Sequence, residues 1–116
     1  MSGRNDQAKR LAAHYVDLLS DWAAVTTRPL FGAIALRRDD VVFAMIWKNA
    51  LYLKVDDASR GEYEAEGSHA LGYRSEGEDR ALKSYLEVPA NILEDAEKLR
   101  SWAEIAYRVA LRPSKQ

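Results

Sequence analysis

The chain has 116 residues, the length of one domain, and its 47% hydrophobic and 30% charged residues describe a folded chain able to bury a sizeable core. It contains no cysteine, which excludes disulfides, thiolate metal sites and a cysteine nucleophile. A net charge of -1 gives no general pull toward nucleic acid, and no apolar run approaches the roughly 20 residues that span a bilayer. The polar start, Met1 to Arg10, leads into a helical pattern rather than a secretory leader, so a cytoplasmic protein with no membrane partner is expected.

Ala8, Leu11, Ala12, Tyr15, Leu18, Leu19, Trp22 and Ala23 recur at three- and four-residue spacing and predict an amphipathic helix from about Asp6 to Ala23. Its other face carries Arg10, His14, Asp17 and Asp21, so His14 sits among solvated groups. Val25 to Phe31 reads as a strand, which Pro29 makes short, bulged or peripheral because proline has no N–H for a ladder. Gly32 suits the bend that follows.

Ala33 to Arg37 and Val41 to Trp47 read as strands joined at Arg38-Asp39-Asp40. Lys48-Asn49 centres the next turn, where Asn tolerates the positive φ of a tight hairpin, and Ala50 to Val55 is the fourth strand. Loops this short make the neighbours antiparallel. In the third strand Val41, Phe43, Met45 and Trp47 are expected on one face, with Val42, Ala44 and Ile46 on the other. Both sets are apolar, so both faces of the sheet must be covered here. Three amphipathic helices can cover one; the other calls for a further element or a second copy, and a homodimer is expected.

Asp56-Asp57 offers a helix start before a short helix, Ser59 to Glu66, that Gly67 closes. His69 to Arg74 and Ala81 to Val88 predict a last hairpin around the polar loop Ser75 to Arg80. In its second strand Leu82, Leu86 and Val88 alternate with Lys83, Tyr85 and Glu87, which predicts one wet face. Pro89 opens a turn through Ile92-Leu93, and Asp95 caps a final helix with Leu99, Trp102, Ala103, Ala106, Val109 and Ala110 inside. Arg108 and Arg112 suit its negative end, and Pro113 its stop. The order is helix, four-strand meander, helix, two strands, helix: a single α+β domain of two layers with a mainly antiparallel sheet of about six strands.

Charge is uneven. From Arg28 to Lys54 there are five basic and two acidic residues, whereas from Val55 onward there are nine basic and thirteen acidic. Arg28, Arg37, Arg38, Lys48 and Lys54 are therefore candidates for a basic surface, with Tyr52 and Tyr85 beside them and Trp47 as an interface anchor. Arg28 and Lys54 stand among β-formers and must reach solvent, a ligand or a carboxylate such as Asp56, Asp57 or Glu87. Direct nucleic-acid binding is disfavoured, since no helix presents several Arg or Lys on one face. The sequence holds no phosphate-cradling loop, nucleophile elbow or dinucleotide fingerprint, and its two histidines stand too far apart to form a metal site by spacing. Glu62-Glu64-Glu66 and Glu76-Glu78-Asp79 read as solvated faces. No catalytic residue, metal or cofactor is expected.

Arg28-Pro29-Leu30-Phe31-Gly32, Val42-Phe43-Ala44-Met45-Ile46 and Leu51-Tyr52-Leu53-Lys54-Val55-Asp56 resemble, in order and spacing, the N-terminal domain of the TfoX/Sxy competence-regulator family. So do Tyr63 and Gly67, Tyr73, Ser84-Tyr85 and Val88-Pro89, and the resemblance runs from about residue 8 to 112. It implies a compact fold related to small secretion-chaperone-like domains, some of them dimeric, and a part in regulating natural transformation by helping a transcription activator. Full-length members carry a second, helical C-terminal domain; this sequence stops at Gln116 and is expected to be the N-terminal domain standing alone. The expected function is non-enzymatic: a regulatory domain that binds a protein partner. The other function weighed is a small anion- or ligand-binding domain using Arg28 and Lys54.

Overall fold

Two tight turns fold the middle of the chain into a meander. Arg38 faces Val41 across Asp39-Asp40, and Trp47 faces Ala50 across Lys48-Asn49. All four turn residues have positive φ, 52° and 67° in the first turn, 48° and 66° in the second. That is the handedness by which a two-residue turn follows the twist of its strands. The computed structural model describes residues 3–30, 32–75 and 77–112, with side chains at all of these except 3–6, 73–75, 79 and 80. The expectations for Phe31, Glu76, Pro113 and the Tyr73 and Asp79 side chains lie outside that set.

The strands are β1 (Thr26–Leu30), β2 (Ala33–Arg38), β3 (Val41–Trp47), β4 (Ala50–Lys54), β5 (Ala70–Ser75) and β6 (Glu78–Glu87). They form one six-stranded sheet in the order β1-β2-β3-β4-β6-β5, and each neighbouring pair is antiparallel. Pro29 falls on the edge strand β1, where its missing N–H is tolerated. The helices are α1 (Gly3–Leu18), α2 (Arg60–Ala65), α3 (Ala90–Leu93) and α4 (Ala96–Leu111). Among the described residues no helix is long and apolar enough to cross a membrane.

Local chemistry sets the helix ends. Ser20 Oγ donates to the Asp17 carbonyl at 2.6 Å, and the chain from Leu19 to Ala23 turns instead of continuing α1, so Trp22 and Ala23 lie beyond the helix that was expected to include them. Before α2, the Ser59 N–H donates to Asp56 Oδ1 and the Asp56 N–H donates to Ser59 Oγ, a reciprocal clasp. Gly67, φ 80°, follows its end. The turn expected at Ile92-Leu93 is the short helix α3, started by Pro89 with φ -61°. Asp95 caps α4 as expected, accepting from the Glu97 and Lys98 N–H groups.

All four helices contribute to one apolar layer against one side of the sheet, centred on Leu36, Phe43, Ile46, Leu51, Leu53 and Leu99. The opposite side carries a second cluster in which Met45, Tyr52, Leu71 and Tyr85 are only 8, 5, 3 and 6% exposed. Among the described residues none from a helix belongs to it. Leu30, Val42, Trp47, Ala50 and Leu82 pack around it, so the sheet closes this cluster with its own side chains, and burial there does not require a second copy.

Two register shifts change the phases read from the sequence. Leu36 pairs with Ala44 but Arg37 with Val42, which leaves Phe43 as an extra residue in β3. Phe43 and Ala44 thus both face the helices, while Val42, Met45 and Trp47 face the other way. In β6, Ala70 pairs with Leu86 but Leu71 with Leu82. The intervening bulge puts Leu82 and Tyr85 on the same cluster, so Tyr85 is buried where simple alternation predicts a wet face. The last hairpin is also longer than expected. Residues 78–80 pair with β5 instead of forming a loop, closed by a turn with Gly77 at φ 80°.

Candidate functional site

The helix-free side of the sheet collects most of the residues singled out above. Strand pairing lays them in rows, because residues directly opposite in adjacent strands share a face. One row runs Arg28, Ala35, Met45, Tyr52, Glu87 from β1 to β6. The next holds Thr26, Arg37 and Val42, and on the far side of the Phe43 bulge Lys54 opposite Tyr85. Trp47 opposite Ala50 lies on the other flank, against the turn at Gly32; a Cβ built on Gly32 would lie 3.3 Å from Trp47 Cζ3.

The cations then sort by partner. Arg38 belongs to the helix layer: its guanidinium carbon lies 4.7 Å from the Trp22 ring centroid and 4.5 Å from that of Tyr107, with Glu104 3.6 Å away. It is a structural clamp between the β2–β3 turn and α4, and leaves the candidate surface. Arg37 stays on the helix-free face and pairs loosely with Asp40 at 3.8 Å. Arg28 is exposed and makes no ion pair among the described residues. Lys54 lies with its ammonium 5.1 Å from the Tyr85 ring centroid, and Lys48 5.6 Å from that of Trp47. Two of the three carboxylates expected to neutralise Arg28 or Lys54 are engaged elsewhere, and none of the three pairs with either cation. Asp56 Oδ2 accepts from Arg112 at 2.8 Å, and Glu87 Oε1 lies 3.1 Å from His69 Nε2.

Arg28 and Lys54 stand three strand spacings apart across the sheet and two residues apart along it, about 16 Å in all. They frame a surface and do not converge on one small anion. The phenols beneath are floor. Burial pushes the Tyr85 hydroxyl up to about 12, and burial followed by the neighbouring Glu87 charge raises that of Tyr52. Both rings are too enclosed to stack on a base. Donors dominate the face. Besides the cations, Trp47 Nε1 and Arg37 Nε are buried without an acceptor, and each such group costs about 1–3 kcal/mol. Among the described residues no group of three or more His, Asp or Glu side chains is placed to hold a metal ion.

A family model of the TfoX N-terminal domain matches residues 17–110. The chain belongs to the TfoX N-terminal domain family. Comparison with curated proteins finds no match. The matched span contains the whole sheet, the cluster on its helix-free side and nearly all of α4, so the surface just described lies within the TfoX N-terminal domain and not in an appended segment. Sequence reasoning passes over two members of this surface: Val42 changes face through the Phe43 bulge, and Leu30 borders the second cluster. It names Glu87, but as a partner for Arg28 or Lys54; the sheet register sets Glu87 opposite Tyr52 and beside His69.

Proposed function

We propose that this TfoX N-terminal domain is a non-enzymatic regulatory module that binds a protein partner through the helix-free face of its sheet. The regulation of competence is the setting that its family implies. One observation supports the reading above the others: the helix-free face gathers cations that no carboxylate neutralises. Among the described residues Arg38, Arg60, Arg100, Arg108 and Arg112 of the helix layer each have a carboxylate within 4 Å, though Lys9, Arg10 and Lys98 on the helices do not. On or beside the other face Arg37 alone has one, Asp40 at 3.8 Å, and Arg28, Lys48 and Lys54 have none among the described residues. Partly exposed apolar side chains, Leu30, Val42, Trp47 and Leu82, lie among them. Charged rims around apolar centres are the usual anatomy of a protein contact, and rim charges govern encounter and choice of partner.

The test is complementation. In a cell whose natural transformation depends on this protein, Arg28→Glu combined with Lys54→Glu should abolish function while the purified variant keeps its melting temperature. A control reversal on the helix layer, Lys98→Glu, should leave function intact. Full activity of the doubly reversed protein would overturn the assignment of the surface.

A further inference from the structure

Resting on the protein-binding reading above, we propose that the partner presents an acidic, apolar-studded segment: carboxylates that meet Arg28 and Lys54, with a large apolar side chain seated between them against Leu30, Val42 and Trp47. The chemistry of the face selects this class. Arg28, Arg37, Lys48 and Lys54 offer only donors, and Arg28, Lys48 and Lys54 reach solvent with no carboxylate partner among the described residues. On the row from Arg28 to Glu87 the single carboxylate is Glu87, and it is engaged by His69. A carboxylate-rich segment supplies the acceptors that the face lacks, as an acceptor-only group.

Two other occupants fit less well. A second copy laid on this face would bring the same four cations together, and like charges across a contact disfavour it. A nucleic acid strand would find cations but no platform, because Tyr52 and Tyr85 are 5 and 6% exposed and form the floor, whereas single-strand binding draws on stacking against open rings. The span adds a length. Carboxylates about 16 Å apart lie about eleven residues apart on a helix, at 1.5 Å per residue, a spacing that returns to the same helix face.

Fluorescence anisotropy of labelled probes against the full chain tests this. The probes are a helical peptide with Glu and Leu on one face at that spacing, the same peptide with every Leu replaced by Ser, its Lys-for-Glu counterpart, and single-stranded and duplex DNA. The Glu/Leu peptide should bind best, lose affinity about tenfold for each of Arg28→Glu and Lys54→Glu, and weaken further as salt screens the rim. Trp47→Phe should weaken it several-fold; Arg28→Ala and Lys54→Ala, with unchanged circular dichroism, guard against a folding effect of the reversals. Equal binding of the Ser-substituted peptide, unchanged affinity in both reversals, or tighter binding of either DNA would overturn the proposal. So would a dimer on gel filtration that Arg28→Glu dissolves, since that result gives the face to a second copy. If complementation implicates the face while the Glu/Leu peptide fails to bind, the partner chemistry is wrong and the protein-binding reading stands.

Discussion

Replacing Glu104 by alanine tests how the helix layer is locked to the sheet. Glu104 Oε1 accepts from Trp22 Nε1 at 2.7 Å and lies 3.6 Å from Arg38, and Oε2 accepts from Arg108 Nε. The same Arg38 is held between the Trp22 and Tyr107 rings, and the Tyr107 hydroxyl donates to Asp39 at 3.3 Å. One carboxylate thus joins α4, the turn after α1 and the β2–β3 turn. A hydrogen bond to a charged acceptor contributes about 1.5–3 kcal/mol. The side chain is 35% exposed, so water replaces part of what is lost. The expected cost of Glu104→Ala is about 1–2 kcal/mol, or about 4–8 °C in melting temperature for a chain of this size. Glu104→Gln keeps an oxygen for Trp22 and should cost about half as much.

The pH dependence gives a second handle. The Trp22 and Arg108 hydrogen bonds hold the Glu104 carboxyl below its ordinary range. A depressed folded-state pKa contributes stability that is present above the unfolded value of about 4.3 and is lost as pH falls through the folded value. The stability gap between wild type and Glu104→Gln, measured by urea unfolding followed through tryptophan fluorescence, should therefore be constant near neutrality and close below about pH 4. A Glu104→Ala protein as stable as wild type at pH 7, or a gap that widens on acidification, would show that Glu104 does not lock the helix layer to the sheet.

Three further outcomes follow from the geometry. Gly32→Ala and Gly67→Ala share a positive φ of about 80°, but only Gly32 has a close neighbour, so Gly32→Ala should be the more destabilising in urea, and Trp47→Ala should remove the difference. Asp56→Ala opens the clasp with Ser59 and frees Arg112; thermal unfolding should show a loss of about 1 kcal/mol, smaller below pH 3 because the clasp and Arg112 lower the Asp56 pKa. With Tyr85 raised to about 12 and Tyr15, Tyr52 and Tyr63 also raised, stability should be intact below about pH 10 and fall as pH climbs toward 12, together with a delayed phenolate absorbance.

Much of the fold is legible in the sequence because its determinants are local. Asn49 and the paired Asp39-Asp40 mark turns, Pro29 marks an edge, Asp95 a cap, and three-residue periodicity the long helices. What escapes is set by register. A strand's alternation can be counted only until a bulge inserts a residue, and the two bulges lie in β3 and β6, the strands whose phases matter most to the helix-free face. Counting straight through put Phe43 with Met45 and left Tyr85 in water. The basic surface is legible as a composition, not as a constellation. Nothing in the adjacency of Arg37 and Arg38 says that one stays on the helix-free face while the other crosses into the cage of Trp22 and Tyr107. Glu104, far along the chain, supplies the acceptor that decides it.

If the helix-free face meets the partner, a photo-crosslinker on it should capture that partner inside the native cell; the reactive side chain is placed at Thr26, exposed on the row of Arg37 and Val42, or at Ser101, exposed on α4. A discrete adduct is expected from position 26, lost when Arg28 and Lys54 are reversed, and none from position 101. An adduct from position 101 alone would contradict it.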